Sequence, residues 1–110
     1  MVSEKDHMKK ISKGDLIRFN PSQSQTGGLD VGLTLWKPDV DLFRREAEYF
    51  TKDEIERFVC FVTDTLFQEK NVQRVFVYIP DVGVRYFDVF QYRLNSEVIS
   101  ASSFFDIEVI

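Results

Sequence analysis

The chain has 110 residues, 44% of them hydrophobic and 15% aromatic, with a net charge of -4. That is the size of one domain, and the apolar content excludes a disordered chain. A single Cys excludes an intramolecular disulfide and a cysteine zinc site, and a single His excludes a multi-histidine metal site.

Residues 1–12 read as a flexible basic arm, in which Lys5, Lys9 and Lys10 outweigh Glu4 and Asp6. His7 lies in that arm, away from any partner that would give it chemistry. The rest of the chain, 13–110, reads as one β domain. Gly14 and Asp15 mark a turn into a first strand over 15–19. Residues 20–28 form a polar loop with an Asn-Pro step. A second strand follows over 31–36, where Val31, Leu33 and Leu35 alternate with Gly32, Thr34 and Trp36, and Pro38 stops it.

Residues 37–57 read as a charged insertion. Val40, Leu42, Phe43, Ala47 and Phe50 have loosely helical spacing, which predicts a short surface helix or an ordered insertion over 39–49. Thr51 and Glu54 make a capping-box pattern. Over 58–67 two readings compete. The spacing of Ile55, Phe58, Val59, Val62 and Leu66 fits a helix, whereas the β-branched and aromatic composition fits a strand and is given more weight.

A strand over 72–79, a turn at Pro80-Asp81-Val82-Gly83 and a return strand over 84–90 form a hairpin. A short strand over 97–100 and a closing strand over 104–110 complete the chain. The expected fold is mainly β, or α+β if the insertion is helical. It is a small SH3-like barrel or twisted meander of five to six strands.

The opening Lys13-Gly14-Asp15-Leu16-Ile17-Arg18-Phe19, the early Gly32-Leu33-Thr34-Leu35, the central Val75–Arg85 stretch and the closing Asp106-Ile107-Glu108-Val109-Ile110 resemble the small SH3-like barrel proteins of tailed bacteriophages. The resemblance covers about half of the chain, and residues 37–70 have no counterpart in that pattern. It implies a barrel fold and a place in a phage particle or on a host factor.

The sequence shows no catalytic constellation. The Gly27-Gly28 stretch lacks the Gly-Lys-Ser/Thr ending of a phosphate loop. Cys60 sits among Phe58, Val59, Phe61 and Val62, the setting of a buried inert thiol. Asp64 interrupts an apolar run and is expected to face solvent or to pair with Arg57 or Arg74. No enzyme activity, cofactor or metal is expected. The charged N-terminus and the shortness of the longest apolar run place the protein in the cytoplasm, in the host or in a virion if phage-encoded.

The expected role is a non-enzymatic protein–protein interaction module. Its partner would present a basic surface to the acidic insertion, through Trp36, Leu42, Phe43, Glu46, Glu48 and Tyr49. Glu46 and Glu48 are expected to be exposed, so that changing both to Lys moves stability by no more than about 0.5 kcal/mol. The alternative is a nucleic-acid-associated barrel that uses Arg18, Arg74, Arg85 and Arg93, although the net acidity disfavours it. Self-association is also open. Trp36, Tyr78, Tyr86, Phe87, Phe90 and Tyr92 are the aromatics that would either fill the core or line a binding face.

Overall fold

In the computed structural model, residues 11–21, 31–38, 46–69, 72–90, 99–102 and 105–110 are described. They form eight strands and one short helix. In chain order these are β1 (Leu16–Pro21), β2 (Gly32–Lys37), β3 (Glu46–Thr51), α1 (Lys52–Arg57), β4 (Val59–Glu69), β5 (Val72–Ile79), β6 (Gly83–Phe90), β7 (Ile99–Ser100) and β8 (Phe105–Val109). All pair antiparallel in one sheet of order β3-β2-β6-β5-β4-β1-β8-β7.

One face of the sheet carries the core. Ile17 and Phe19 of β1, Leu33 and Leu35 of β2, Val75, Val77 and Ile79 of β5, and Phe87 and Val89 of β6 are all buried. A single sheet can bury one face only by wrapping over it. Two register shifts in β4, between Val62 and Asp64 and between Phe67 and Glu69, tighten the bend. The rings of Phe19 and Phe87 then meet edge to face, 5.1 Å between centroids.

The curl stops short of a barrel, and this corrects the expected SH3-like barrel of five to six strands. Beyond its full ladder with β5, the other edge of β6 is divided. Trp36 of β2 takes Tyr86, and Ser100 of β7 takes Phe90. The two-residue β7 thus returns to β6 through one bridge. A single bridge is too little to close a barrel, and the β2–β3 ribbon continues the sheet outward from the same strand.

The insertion also differs from expectation. Residues 46–49, read as part of a helix, belong to strand β3, which pairs with β2 along its whole length. Residues 39–45 lie outside the described residues. The helix is confined to α1, where the capping box forms as its sequence predicts. The Thr51 N–H donates to Glu54 Oε1 at 3.0 Å, and the Glu54 N–H donates to Thr51 Oγ1 at 3.3 Å. The Thr51 N–H, and to a smaller extent the Thr51 hydroxyl, which also donates to Glu54 Oε1 at 3.0 Å, hold the Glu54 carboxyl below its usual range. Ile55 is the side chain that anchors α1 in the core. Of the two readings over 58–67 the strand holds, except that Phe58 caps α1 and β4 runs from Val59 to Glu69.

The folded body includes a residue that the sequence reading left in the arm. Ile11, assigned there to the arm, is fully buried and hydrogen-bonded to Gln73. Gly14, with φ of 96°, turns the chain into β1 and donates to the Val62 carbonyl at 2.9 Å. None of the helices among the described residues is long and apolar enough to cross a membrane.

Candidate functional site

Strand alternation sends every second side chain to the outer face, away from the core. On β1, β4, β5 and β6 several of these outward positions are apolar, beside the outward Arg18, Arg74 and Asp88. Leu16 is aligned with Phe61, Phe61 with Tyr78, and Tyr78 with Val84. Ile110 extends the line, because its N–H donates to the Leu16 carbonyl at 2.8 Å. The five side chains form a row across β1, β4, β5 and β6, with Ile110 just past the end of β8 at its margin. Their exposures are 61% for Ile110, 43% for Leu16, 46% for Phe61, 48% for Tyr78 and 42% for Val84. Scattered exposed apolar residues are ordinary, whereas a contiguous set marks a contact surface.

A second row lies beside the first. Phe76 pairs with Tyr86, and Tyr86 with Trp36. All three are half-buried. The Phe76 and Tyr86 rings are tilted against each other at 5.4 Å, and the Arg74 guanidinium lies 4.8 Å from the Tyr86 centroid. Trp36, Tyr78 and Tyr86 therefore stand on the outer face, while Phe87 faces the core. Tyr92 lies outside the described residues.

The charged groups around the rows are matched. Arg18 binds Glu108 at 2.7 Å across β1 and β8. Arg74 binds Asp88 through two contacts, at 2.9 and 3.4 Å, and this bond holds its guanidinium even more firmly protonated. On the opposite, core-facing side, Arg85, whose side chain is only 11% exposed, binds Glu48 at 2.7 Å. Asp64 is exposed and accepts from the Thr65 N–H at 2.9 Å, so it faces solvent as the sequence reading expected.

The residues expected to meet a basic partner are not assembled into one acidic surface by these contacts. Glu46 faces Lys37 at 3.6 Å, and Glu48 accepts from Arg85. Tyr49 is exposed, with its ring over Gly32. Leu42 and Phe43 lie outside the described residues, as does Arg93 of the nucleic-acid alternative. Each of the three other arginines of that alternative already holds a carboxylate, which a phosphate would have to displace.

Cys60 is fully buried on the inner face, and burial pushes its thiol pKa up to about 12. It is a core side chain, as its neighbours in sequence imply. Among the described residues, no group of three or more His, Cys, Asp or Glu is placed to hold a metal ion. The outer apolar row escaped the sequence reading, because its members come from four separate strands and the residue after β8 and meet only through register. The local signal was present in each strand as an apolar residue at a position of polar parity.

No family model matches this chain, and no curated protein or solved structure matches it.

Proposed function

We propose that the protein is a non-enzymatic protein–protein interaction module that binds through the outer face of its sheet. One observation carries this reading: the row Leu16, Phe61, Tyr78 and Val84, aligned in register across four strands and extended by Ile110 beyond β8, each at least two-fifths exposed. Covering such a row removes apolar surface from water, worth about 25 cal/mol for each Å². Tyr78 adds a ring with a polar tip, a residue type favoured at binding hot spots. A setting in a phage particle or on a host factor rests on the sequence resemblance alone and belongs to the same proposal.

This reading moves the contact surface from the acidic insertion to the sheet. The carboxylates of Glu46 and Glu48 are engaged within the chain, so their power to attract a basic partner is reduced. The nucleic-acid reading is weaker for the matching reason, since Arg18, Arg74 and Arg85 are ion-paired.

The test is surface substitution followed by capture. Immobilised protein and its Phe61→Lys/Tyr78→Lys variant are exposed to the same lysate, and bound proteins are compared. Loss of the same specific partner from the variant, with unchanged thermal unfolding, supports the outer face. A partner retained equally by both proteins removes it as the binding surface.

A further inference from the structure

We infer that the outer edge of β3 is a strand-addition site whose occupant is β3 of a second copy, antiparallel, with Tyr49 on the two-fold axis. This edge is separate from the outer apolar row, which ends on β6.

The sheet ends on β3. Among the described residues every other strand has a neighbour on both sides, including the short β7, which pairs with β8 and bridges back to β6. Strand β3 pairs with β2 alone, through all six of its residues and without a register shift. In an antiparallel ladder every second residue turns its N–H and C=O away from its neighbour. The outer edge of β3 is thus an unbroken run of backbone donors and acceptors, and the ligand that matches such a run is another strand.

Exposed edges are ordinarily guarded by Pro, Lys, a bulge or an inward charge. Glu46-Ala47-Glu48-Tyr49-Phe50-Thr51 has none of the first three. Its inward charges are Glu46 and Glu48, and both are held within the chain, by Lys37 at 3.6 Å and by Arg85 at 2.7 Å. The edge is therefore left open to pairing.

The side chains select the occupant. Paired residues share a face of the sheet, so a two-fold axis between copies falls on a residue, and that residue names the register. With Glu48 on the axis, two carboxylates stand directly opposite each other. With Ala47 there, Glu46 faces the copy's Glu48. With Phe50 there, the ladder shortens, because β3 ends at Thr51. With Tyr49 on the axis, Ala47 faces the copy's Thr51, Glu48 faces its Phe50, and the two exposed Tyr49 rings come side by side. No like charges are opposed, so in this register β3 is its own complement. The contact is small, which places its dissociation constant at about 10 μM to 1 mM.

The experiment is sedimentation velocity on the full chain from about 1 μM to about 1 mM, joined to disulfide capture in cysteine variants. Wild type should shift reversibly toward twice the monomer mass. Tyr49→Lys, which opposes two ammonium groups at the axis, should weaken association about tenfold or more. Phe61→Lys, on the outer row, should leave it unchanged. Mild oxidation should join Tyr49→Cys into a covalent dimer, because directly opposed Cα atoms lie about 4.5–5.5 Å apart, within disulfide reach. Ala47→Cys should stay unlinked, because its own image lies about 13 Å away along the strand. The native Cys60 is buried and takes no part. A wild type that stays monomeric throughout overturns the proposal. So does an Ala47→Cys variant that crosslinks as readily as Tyr49→Cys, or a dimer that Phe61→Lys weakens as strongly as Tyr49→Lys.

Discussion

Gln73 and Ile11 are joined amide to amide, 62 residues apart in the chain. The Gln73 side-chain Nε2 donates to the Ile11 carbonyl at 2.6 Å, and the Ile11 N–H donates to Gln73 Oε1 at 3.4 Å. Both residues are buried, so neither backbone group has water as a substitute. Gln73 points inward at the start of β5, where the other inward residues are Val75, Val77 and Ile79. A polar side chain there serves the backbone of the segment that enters β1.

Gln73→Ala should therefore cost about 2 kcal/mol, mostly from two buried backbone groups left without partners. Urea unfolding measures the loss. Amide exchange at Ile11 should accelerate more than exchange in β5. A cost below about 0.5 kcal/mol would mean that the Ile11 segment is held by its apolar side chain alone.

Glu46 and Glu48 stand two positions apart on one strand and should behave differently. Glu46 faces Lys37 where both side chains are largely exposed, so Glu46→Lys should change stability by no more than about 0.5 kcal/mol. Glu48→Lys places a cation against the largely buried Arg85 and should cost about 1–3 kcal/mol. Thermal unfolding of the two variants compares them directly. Equal, small effects would restore the sequence expectation that both carboxylates are merely solvated.

Gly32 sits where β2 passes beneath Tyr49. A Cβ at this position would collide with the Phe50 carbonyl and with the Tyr49 ring. Gly32→Ala should destabilise the fold by about 1–3 kcal/mol. Tyr49→Ser in the same background should recover only part of that, because the Phe50 carbonyl is backbone and cannot swing aside. Full recovery would assign the conflict to the flexible ring.

Cys60 couples stability to alkaline pH. Its thiol ordinarily titrates near 9 and is pushed up to about 12 by burial. A raised folded-state pKa favours the neutral thiol in the native protein. Its contribution is complete below about pH 9 and is lost as pH rises from there toward about 12. In that window the unfolded chain ionises and the folded chain does not, which lowers stability by up to about 1.4 kcal/mol per pH unit. Cys60→Ala should flatten this alkaline slope, seen in urea midpoints taken from pH 8 to 10. A native thiol that reacts rapidly with a thiol reagent at neutral pH would contradict the burial on which this rests.

Much of the strand content was legible locally. Val72–Ile79 alternates with high β propensity, and its strand matches the sequence reading residue for residue. The turn after it also follows the chemistry of its residues. Val82 donates to the Ile79 carbonyl, and Gly83 takes a φ of 108°. Asp81 adds a positive φ of 68° that the reading did not assign. Strand β3 was not legible. In Glu46-Ala47-Glu48-Tyr49-Phe50-Thr51 only Phe50 is buried, so no alternation of apolar and polar types announces a strand. What fixes β3 is its ladder with β2, a tertiary fact. Register likewise hid the outer row, since nothing in the sequence aligns Phe61 with Tyr78.

Strand β1 lies between β4 and β8, with Ile17 opposite Cys60 on one side and Val109 on the other. Its position has a consequence for synthesis. Strand β1 has β8, far later in the chain, as one of its two neighbours, so its site is complete only once β8 has been made. At ribosomal rates of about 5–20 residues per second, Ile17 and Phe19 wait roughly 5 to 20 s for Val109 and Ile107. The β4–β5–β6 hairpins need only local contacts and form first. During that interval β1 is an apolar strand with an unfilled edge. Until β8 pairs with it, that edge of β1 is open to pairing with another chain.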